Sequence, residues 1–407
     1  MFEEKVLGGI LGFVVADALG VPVEFEDREY LRLYPVTDMR GYGSYDVPAG
    51  SWSDDSSMTL CALESLTHGL DYDDMMSRFL RWADEGYMTP HGEVFDMGIT
   101  TREALLRYAK GTPALECGSV SELANGNGSL MRMLPVAFYL YHLRCTTVIS
   151  RRESLPIIHN ASALTHAHPI SLISCSIYCH IVHNLLNGHS LKDAIADASN
   201  LIKKLYQKDH PEYHGWLNKF NHVDADVLLH LTEDDIRSSG YVLDTLEAAL
   251  WCLLHTDSYR DCVLKAVNLG SDTDTVAAVA GGLAGLYYGT SAIPTEWSEV
   301  IPKRDMIESL CKDFCSANTS KSLHEEHQPT EHISADPKLA TREATELELG
   351  LIGLLRSSKA GKAAQMMVFI WLKTDEQMLE MCKYLLENED ATEGQILRKC
   401  RQLLGEN

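Results

Sequence analysis

Through most of the first 315 positions, apolar residues recur every three or four places, the spacing of one face of an α-helix. Runs that alternate apolar and polar residues, as strands do, are nearly absent. The pattern predicts helices over Val6–Leu19, Met58–Leu70, Asp74–Trp82, Thr100–Ala109, Leu134–Leu143, a segment ending at Leu186, and Gly240–Trp251. A further helix, over 276–289, is built largely of small residues: Ala277, Ala278, Ala280, Gly281, Gly282, Ala284 and Gly285. Side chains this small cannot fill a core, so that helix must lie close against its neighbours. Polar and charged residues dominate from Lys203 to Arg237, which is expected to be an irregular surface excursion. The expected fold class is all-α.

After about Asn318 the composition turns to Ser, His, Glu, Pro and Thr as far as Thr341, which marks a linker. Helical spacing resumes over 343–407, where Met378, Met381 and Leu385 read as core. The expected organisation is a catalytic domain over 1–315, a linker over 316–342 and a small C-terminal helical appendage over 343–407. The appendage carries no catalytic constellation, and docking a partner is the role expected of it.

Two stretches carry the chemistry. Asp272-Thr273-Asp274-Thr275 stands at the mouth of the small-residue helix, and Ser53-Asp54-Asp55-Ser56 stands at the mouth of another. Either alone is best read as a helix cap with first-turn acids. Two together crowd four carboxylates, flanked by the hydroxyls of Ser53 and Thr275. If the two helix starts converge, a pair of divalent cations that activates water is the economical way to offset the repulsion. Oxygen-only ligands suit Mg²⁺ or Mn²⁺ without choosing between them.

Other positions are open to two readings. Glu24, flanked by Val23 and Phe25, is a solvated loop charge or a partly desolvated carboxyl, and the first is the commoner case. Asp96 either caps the helix at Thr100 or contacts a ligand. The loop Asn125-Gly126-Asn127-Gly128-Ser129-Leu130-Met131-Arg132 runs into an apolar helix, where backbone N–H groups suit a phosphate, although a plain turn is the default without a P-loop lysine. His166 and His168 fit no standard zinc spacing and read as helix-start or core residues. The loop over 38–51, rich in Gly and aromatics, leads into the first acidic pair and has the make-up of a ligand-positioning segment.

Composition narrows the partners. The chain has 407 residues and a formal net charge of −23, which disfavours a nucleic-acid partner. Its 11 cysteines form no CxxC, and no signal sequence is evident, so reduced thiols and a cytoplasmic location are expected. Cys175/Cys179 and Cys311/Cys315, one helical turn apart, read as buried packing. No apolar run is read as reaching the roughly 18 residues of a membrane span, so no membrane partner is expected.

Residues 1 to about 315 resemble the ADP-ribosylglycohydrolase family. The resemblance is carried, in order, by Asp17-Ala18-Leu19-Gly20 with Glu24, Trp52-Ser53-Asp54-Asp55-Ser56, Phe95-Asp96-Met97-Gly98, Gly126-Asn127-Gly128-Ser129-Leu130-Met131-Arg132, Thr165-His166, Gly240-Tyr241-Val242-Leu243-Asp244-Thr245-Leu246 and Asp272-Thr273-Asp274-Thr275. It implies an all-α hydrolase with two Mg²⁺ or Mn²⁺ ions held by Ser53, Asp54, Asp55, Asp272, Asp274 and Thr275. It also implies that ADP-ribose is bound by Asn125, Gly126, Asn127, Gly128, Ser129, Met131, Arg132, His166 and Tyr241, with Glu24, Asp96 and Asp55 as the catalytic acids. The implied substrate is an ADP-ribosylated protein, arginine-linked first, and the product ADP-ribose. Serine, nucleic-acid or metabolite linkages, a nucleotide phosphohydrolase, a non-catalytic ADP-ribose binder and a scaffold acting through the tail are the alternatives. Ala16 replaces the family's common Gly before Asp17, and Ser53 and Ser56 stand where Thr is frequent; neither change removes a ligand oxygen.

Overall fold

The small residues set the architecture. α1 (Phe2–Gly20) is buried on every side from Gly8 to Gly20, and so is α14 (Thr273–Tyr288) from Thr273 to Leu286. Helices apolar all round belong at the centre of a domain, and these two pack backbone against backbone. A Cβ on Gly12 would stand 2.7 Å from the Gly281 carbonyl oxygen, and one on Gly281 only 2.3 Å from the Cβ of Ala16. The Ala that this chain carries before Asp17 therefore needs Gly281 opposite it. At the C-terminal end of α14, Lys5 Nζ donates to the Leu286 carbonyl at 2.7 Å, which offsets the negative helix end.

This is a computed structural model, and it describes residues 2–147 and 149–320 together with 381, 383–385, 388, 396 and 399. Between the central pair run α2 (Arg28–Leu33), α3 (Asp54–His68), α4 (Tyr72–Glu85), α5 (Ile99–Ala109), α6 (Leu134–Thr147), α7 (Leu155–Ala163), α8 (Pro169–Leu186) and α9 (Leu191–Asp209). The short α10 (His214–Leu217) and α11 (Ala225–His230) precede α12 (Val242–Leu254) and α13 (Tyr259–Val267); α15 (Thr295–Ser298) and α16 (Arg304–Ser320) follow α14. α12 and α13 lie along α14, α3 and α16 along α1, while α6, α7 and α9 pack on α8. No strand occurs among the described residues, only two isolated bridges, so the all-α expectation holds.

Three expectations need correction. The stretch from Lys203 to Arg237 is not an irregular excursion: α9 continues through it to Asp209, and Tyr206, Phe220, Val223 and Leu228 are buried. Its amphipathic spacing was hidden by a high density of charge on the outer face. α16 runs to Ser320, past the boundary placed at 315 and into the residues assigned to the linker. Two helices, within Phe2–Val23 and Pro169–Leu186, are in fact long and apolar enough to cross a membrane, but 94% and 83% of their most apolar windows are buried inside the protein. The rest of the linker and nearly all of the 343–407 unit lie outside the described residues; within that unit Met381, Leu385 and Ile396 are buried.

Candidate active site

Close approach of α1 and α14 brings their acids together. A Cβ on Gly20 would stand 2.5 Å from the Cα of Asp274, so the last turn of α1 lies directly against the first turn of α14. Asp17, fully buried in that last turn, reaches the start of α3. Its carboxylate accepts from Ser53 N at 3.0 Å, Ser56 N at 3.0 Å and Ser56 Oγ at 2.5 Å. An acid from one helix thus satisfies the orphan N–H groups of another. The consequence is that Asp54 and Asp55, in the first turn of α3, are held beside Asp274.

The acids form two overlapping groups. One oxygen each from Asp17, Asp55 and Asp274 lie within 4.8 Å of one another, and so do oxygens from Glu24, Asp272 and Asp274. Asp274 belongs to both. Glu24 arrives from the turn after α1, where the backbones of Phe25 and Glu26 exchange hydrogen bonds with Ser271 at 2.7 Å each. Arg28 braces the same corner, donating to the carbonyls of Leu269, Glu233 and Ile236. Asp96 sits on a loop at φ +51° and is 6% exposed.

Capping does not account for these carboxylates. Asp272 occupies the N-cap position of α14 but accepts no capping bond there, and α5 is capped at Gly98 without Asp96. Glu24, at 3% exposure, is no solvated loop charge. Glu24 Oε2, Asp55 Oδ1, Asp96 Oδ1 and Asp274 Oδ2 are buried with no hydrogen-bond partner. Among the described residues no ion pair involves Asp17, Glu24, Asp54, Asp55, Asp96 or Asp274.

Buried anions without partners are costly, and the ionisation equilibria register the cost. Burial, with Asp274, Asp96 and Asp272 alongside, raises the Glu24 carboxyl well above its usual range. Burial is likewise the first cause for Asp54, Asp55 and Asp274, their acidic neighbours the second. Asp96 is pushed up to about 8 by burial and then by Asp272 and Asp17. Asp17 rises only to about 6, because the bonds from Ser56 and Ser53 counter its burial. Hard oxygen donors with orphaned lone pairs and no protein cation fit a divalent metal ion.

The facing wall is different in kind. The loop at Asn125–Asn127 pairs with Gly240–Val242: Asn127 N donates to Gly240 O and Val242 N to Asn125 O, both at 3.0 Å. Asn127 Nδ2 donates to Thr245 Oγ1 at 2.9 Å and to Asp272 Oδ2 at 3.1 Å, so this loop residue steadies an acid of the cage. Asn125 is occupied with Ser171 and Glu122, and Ser129 with Ser162. Arg132, fully buried, donates to Ala161 O at 2.8 Å and Thr165 Oγ1 at 2.7 Å. Its guanidinium is thereby turned into the core, and Met131 is also buried. Gly126 and Gly128 do line the wall: a Cβ on Gly128 would stand 3.0 Å from His166 Cε1. His166 Nδ1 is 2.8 Å from Thr165 Oγ1, and half-buried Tyr241 bridges to Gly126.

Ser53 Oγ lies 3.3 Å from Asp55 Oδ2, and Thr275 N donates to Asp274 Oδ1 at 2.8 Å, so both residues adjoin acids of the cage. Asp17 was missed as a site residue because it reads as the polar end of an apolar helix. Its signals were an acid within a run too apolar to leave it in solvent and its place in the first motif of the family resemblance. Among the described residues no cysteine forms a disulfide, and Cys175, Cys179, Cys311 and Cys315 are buried.

The family comparison agrees with this geometry. A model of the ADP-ribosylglycohydrolase family matches residues 1–325. The chain belongs to this family. It is 34% identical over 317 residues to ADP-ribosylarginine hydrolase Tri1 of Serratia proteamaculans (strain 568), covering 76% of this chain and 79% of that one. It is 30% identical over 309 residues to the ADP-ribosyl-[dinitrogen reductase] glycohydrolase of Rhodospirillum rubrum, covering 75% and 91%. Among solved structures it is similar to an ADP-ribosylglycohydrolase-related protein complex, with a TM-score of 0.63 and 31% identity, over 78% of this chain and 99% of that chain.

Proposed function

We propose that this ADP-ribosylglycohydrolase cleaves the bond between the anomeric carbon of ADP-ribose and an arginine side chain of a modified protein, using Mg²⁺ or Mn²⁺. The observation that carries the proposal is the acid cage, with orphaned oxygens from three separate segments converging around Asp274. Two ions are expected, one for each carboxylate group, with Asp274 shared and Ser53, Asp54 and Thr275 at the margins. Once bound, such ions supply Lewis acidity and a water acidified enough to attack at neutral pH.

The rest of the chemistry falls to the chain. Water adds to the anomeric carbon as the carbon–nitrogen bond breaks, and the leaving guanidine nitrogen takes a proton. Guanidine leaves poorly, so a positioned carboxyl that delivers that proton contributes substantially. Asp96, which belongs to neither carboxylate group and keeps one unengaged buried oxygen, is the donor at hand, with Glu24 the alternative where no ion holds it. Gly126 and Gly128, beside His166, permit close approach of a phosphate to backbone. The relatives named for ADP-ribosylarginine and for ADP-ribosyl-[dinitrogen reductase] support a protein substrate.

The test is direct. Full-length protein is incubated with arginine-, serine- and nucleic-acid-linked ADP-ribose, with and without EDTA, and free ADP-ribose is measured. Release from the arginine linkage, abolished by EDTA and restored by Mn²⁺, is the expected result; cleavage of only another linkage, or none, contradicts it.

A further inference from the structure

Two acids, Glu24 and Asp96, come from different loops, and neither packs within a helix that would fix its side chain. Between them stands Tyr45, on the loop over 38–51. Its ring lies 4.9 Å from that of Phe95, the residue before Asp96, and 6.5 Å from that of Phe25, the residue after Glu24. Each acid therefore has an aromatic neighbour in sequence that grips the same tyrosine.

The backbone adds a second tie. Ser44 N donates to Pro22 O at 3.2 Å, and Ser44 Oγ donates to the carbonyl of Glu24 itself. Gly43 lies so close that a Cβ there would stand 2.0 Å from the Pro22 carbonyl oxygen, at a φ of +153°. The loop is thus latched to the segment carrying Glu24. Tyr45 is 8% exposed, and its hydroxyl is buried with no partner at hydrogen-bond length, although it faces both the Glu24 and the Asp96 carboxyls. An orphaned hydroxyl aimed into a cluster of carboxylates is not explained by packing, since Phe would fill the same space. A phenol is un-ionised at neutral pH, so the hydroxyl is available as a donor.

We infer that Tyr45 is a positioning residue for the hydrolase, its hydroxyl bridging Glu24 and Asp96 and fixing the separation of the two carboxyls that flank the scissile bond. The inference rests on the hydrolase reading for its kinetic consequence but not for its geometric one. One phenol can donate to one carboxylate and accept from the other in its protonated form, which two repelling anions cannot do for each other.

The experiment compares wild type with Tyr45→Phe, which keeps the ring contacts and removes the hydroxyl. On arginine-linked ADP-ribosyl protein, kcat is expected to fall roughly 10- to 100-fold, the cost of misplacing a reacting group by about 1 Å. KM and the melting temperature in EDTA are expected to stay close to wild type, which separates positioning of the acids from loss of substrate binding or of fold. Crystal structures of both proteins give the readout that needs no activity: in the variant the Glu24 and Asp96 carboxyls are expected to move apart. Carboxyls unmoved in the variant, or kcat within about twofold of wild type, overturn the inference. An inactive wild type with the displaced carboxyls would instead refute the hydrolase reading and leave the role of Tyr45 standing.

Discussion

The acid cage and the glycine-loop wall beside it are both polar and both buried, yet they are built on opposite rules. In the glycine-loop wall most polar atoms are spoken for: Arg132 by Ala161 and Thr165, its Nε alone lacking a partner, Asn125 by Ser171 and Glu122, Asn127 by Thr245 and Asp272. In the acid wall, Glu24, Asp55, Asp96 and Asp274 each keep an oxygen with no partner. A satisfied network rigidifies a surface against which a ligand can be held. An unsatisfied one stores free energy that a bound cation releases. Substitutions in the first wall should therefore cost stability, while substitutions in the second should cost activity and spare, or even raise, the stability of the metal-free protein.

The largest effect is expected at Asp274, the acid common to both carboxylate groups. Asp274→Asn should lower ADP-ribose release roughly 1000-fold, more than the roughly 10- to 100-fold cost of disturbing a group that only supports a metal ligand. In EDTA the same variant should melt at or above the wild-type temperature; a lower melting temperature with near-normal activity would reverse the assignment of the two walls.

Next comes the pH response of metal-free protein. Asp17, at about 6, and Asp96, at about 8, have carboxyls raised above their unfolded values. Between about pH 4 and pH 8 the folded state therefore binds more protons than the unfolded one. Stability from these groups is present at low pH and falls as pH rises through the folded values, by at most about 1.4 kcal/mol per group per pH unit. Thermal melts in EDTA at pH 5 and pH 8 should show the fall, and Mn²⁺ should remove it. A melting temperature that rises with pH in EDTA would show the cage to be content with its charge.

Arg132→Met tests the other wall. Removing the guanidinium takes the donor from the Ala161 carbonyl and leaves the Thr165 hydroxyl with His166 alone, and should cost about 2–4 kcal/mol in denaturant unfolding. Smallest is the seam between the walls: Asn127→Ala should weaken Mn²⁺ binding about tenfold, because Asp272 loses the amide that orients it. An unchanged affinity in calorimetry would mean that the two walls are independent.

How much of this was legible beforehand follows the same division. The acid wall announced itself, because Asp54-Asp55 and Asp272-Thr273-Asp274 stand at helix mouths and their convergence needed only the close packing that Gly281 and its neighbours imply. Asp17 did not, since a single acid in an apolar helix says nothing about the helix start it caps. The glycine wall was recognisable as a loop but not as a network. No spacing reveals that Arg132 turns inward, because its acceptors lie at 161 and 165 and are set by the packing of α6 and α7 on α8. Tyr45 was hidden for the same reason, its meaning depending on Phe25 and Phe95 across space. α9 was lost in its charged outer face, although Ile202 and Tyr206 keep helical spacing.

The most direct measurement is anomalous diffraction from crystals of the full chain grown with Mn²⁺. Two peaks are expected, one among Asp17, Asp55 and Asp274 and one among Glu24, Asp272 and Asp274, with Asp274 reaching both. Crystals soaked to saturation that show these carboxylates ordered as described, with no manganese signal among them, would contradict the cage as a cation site.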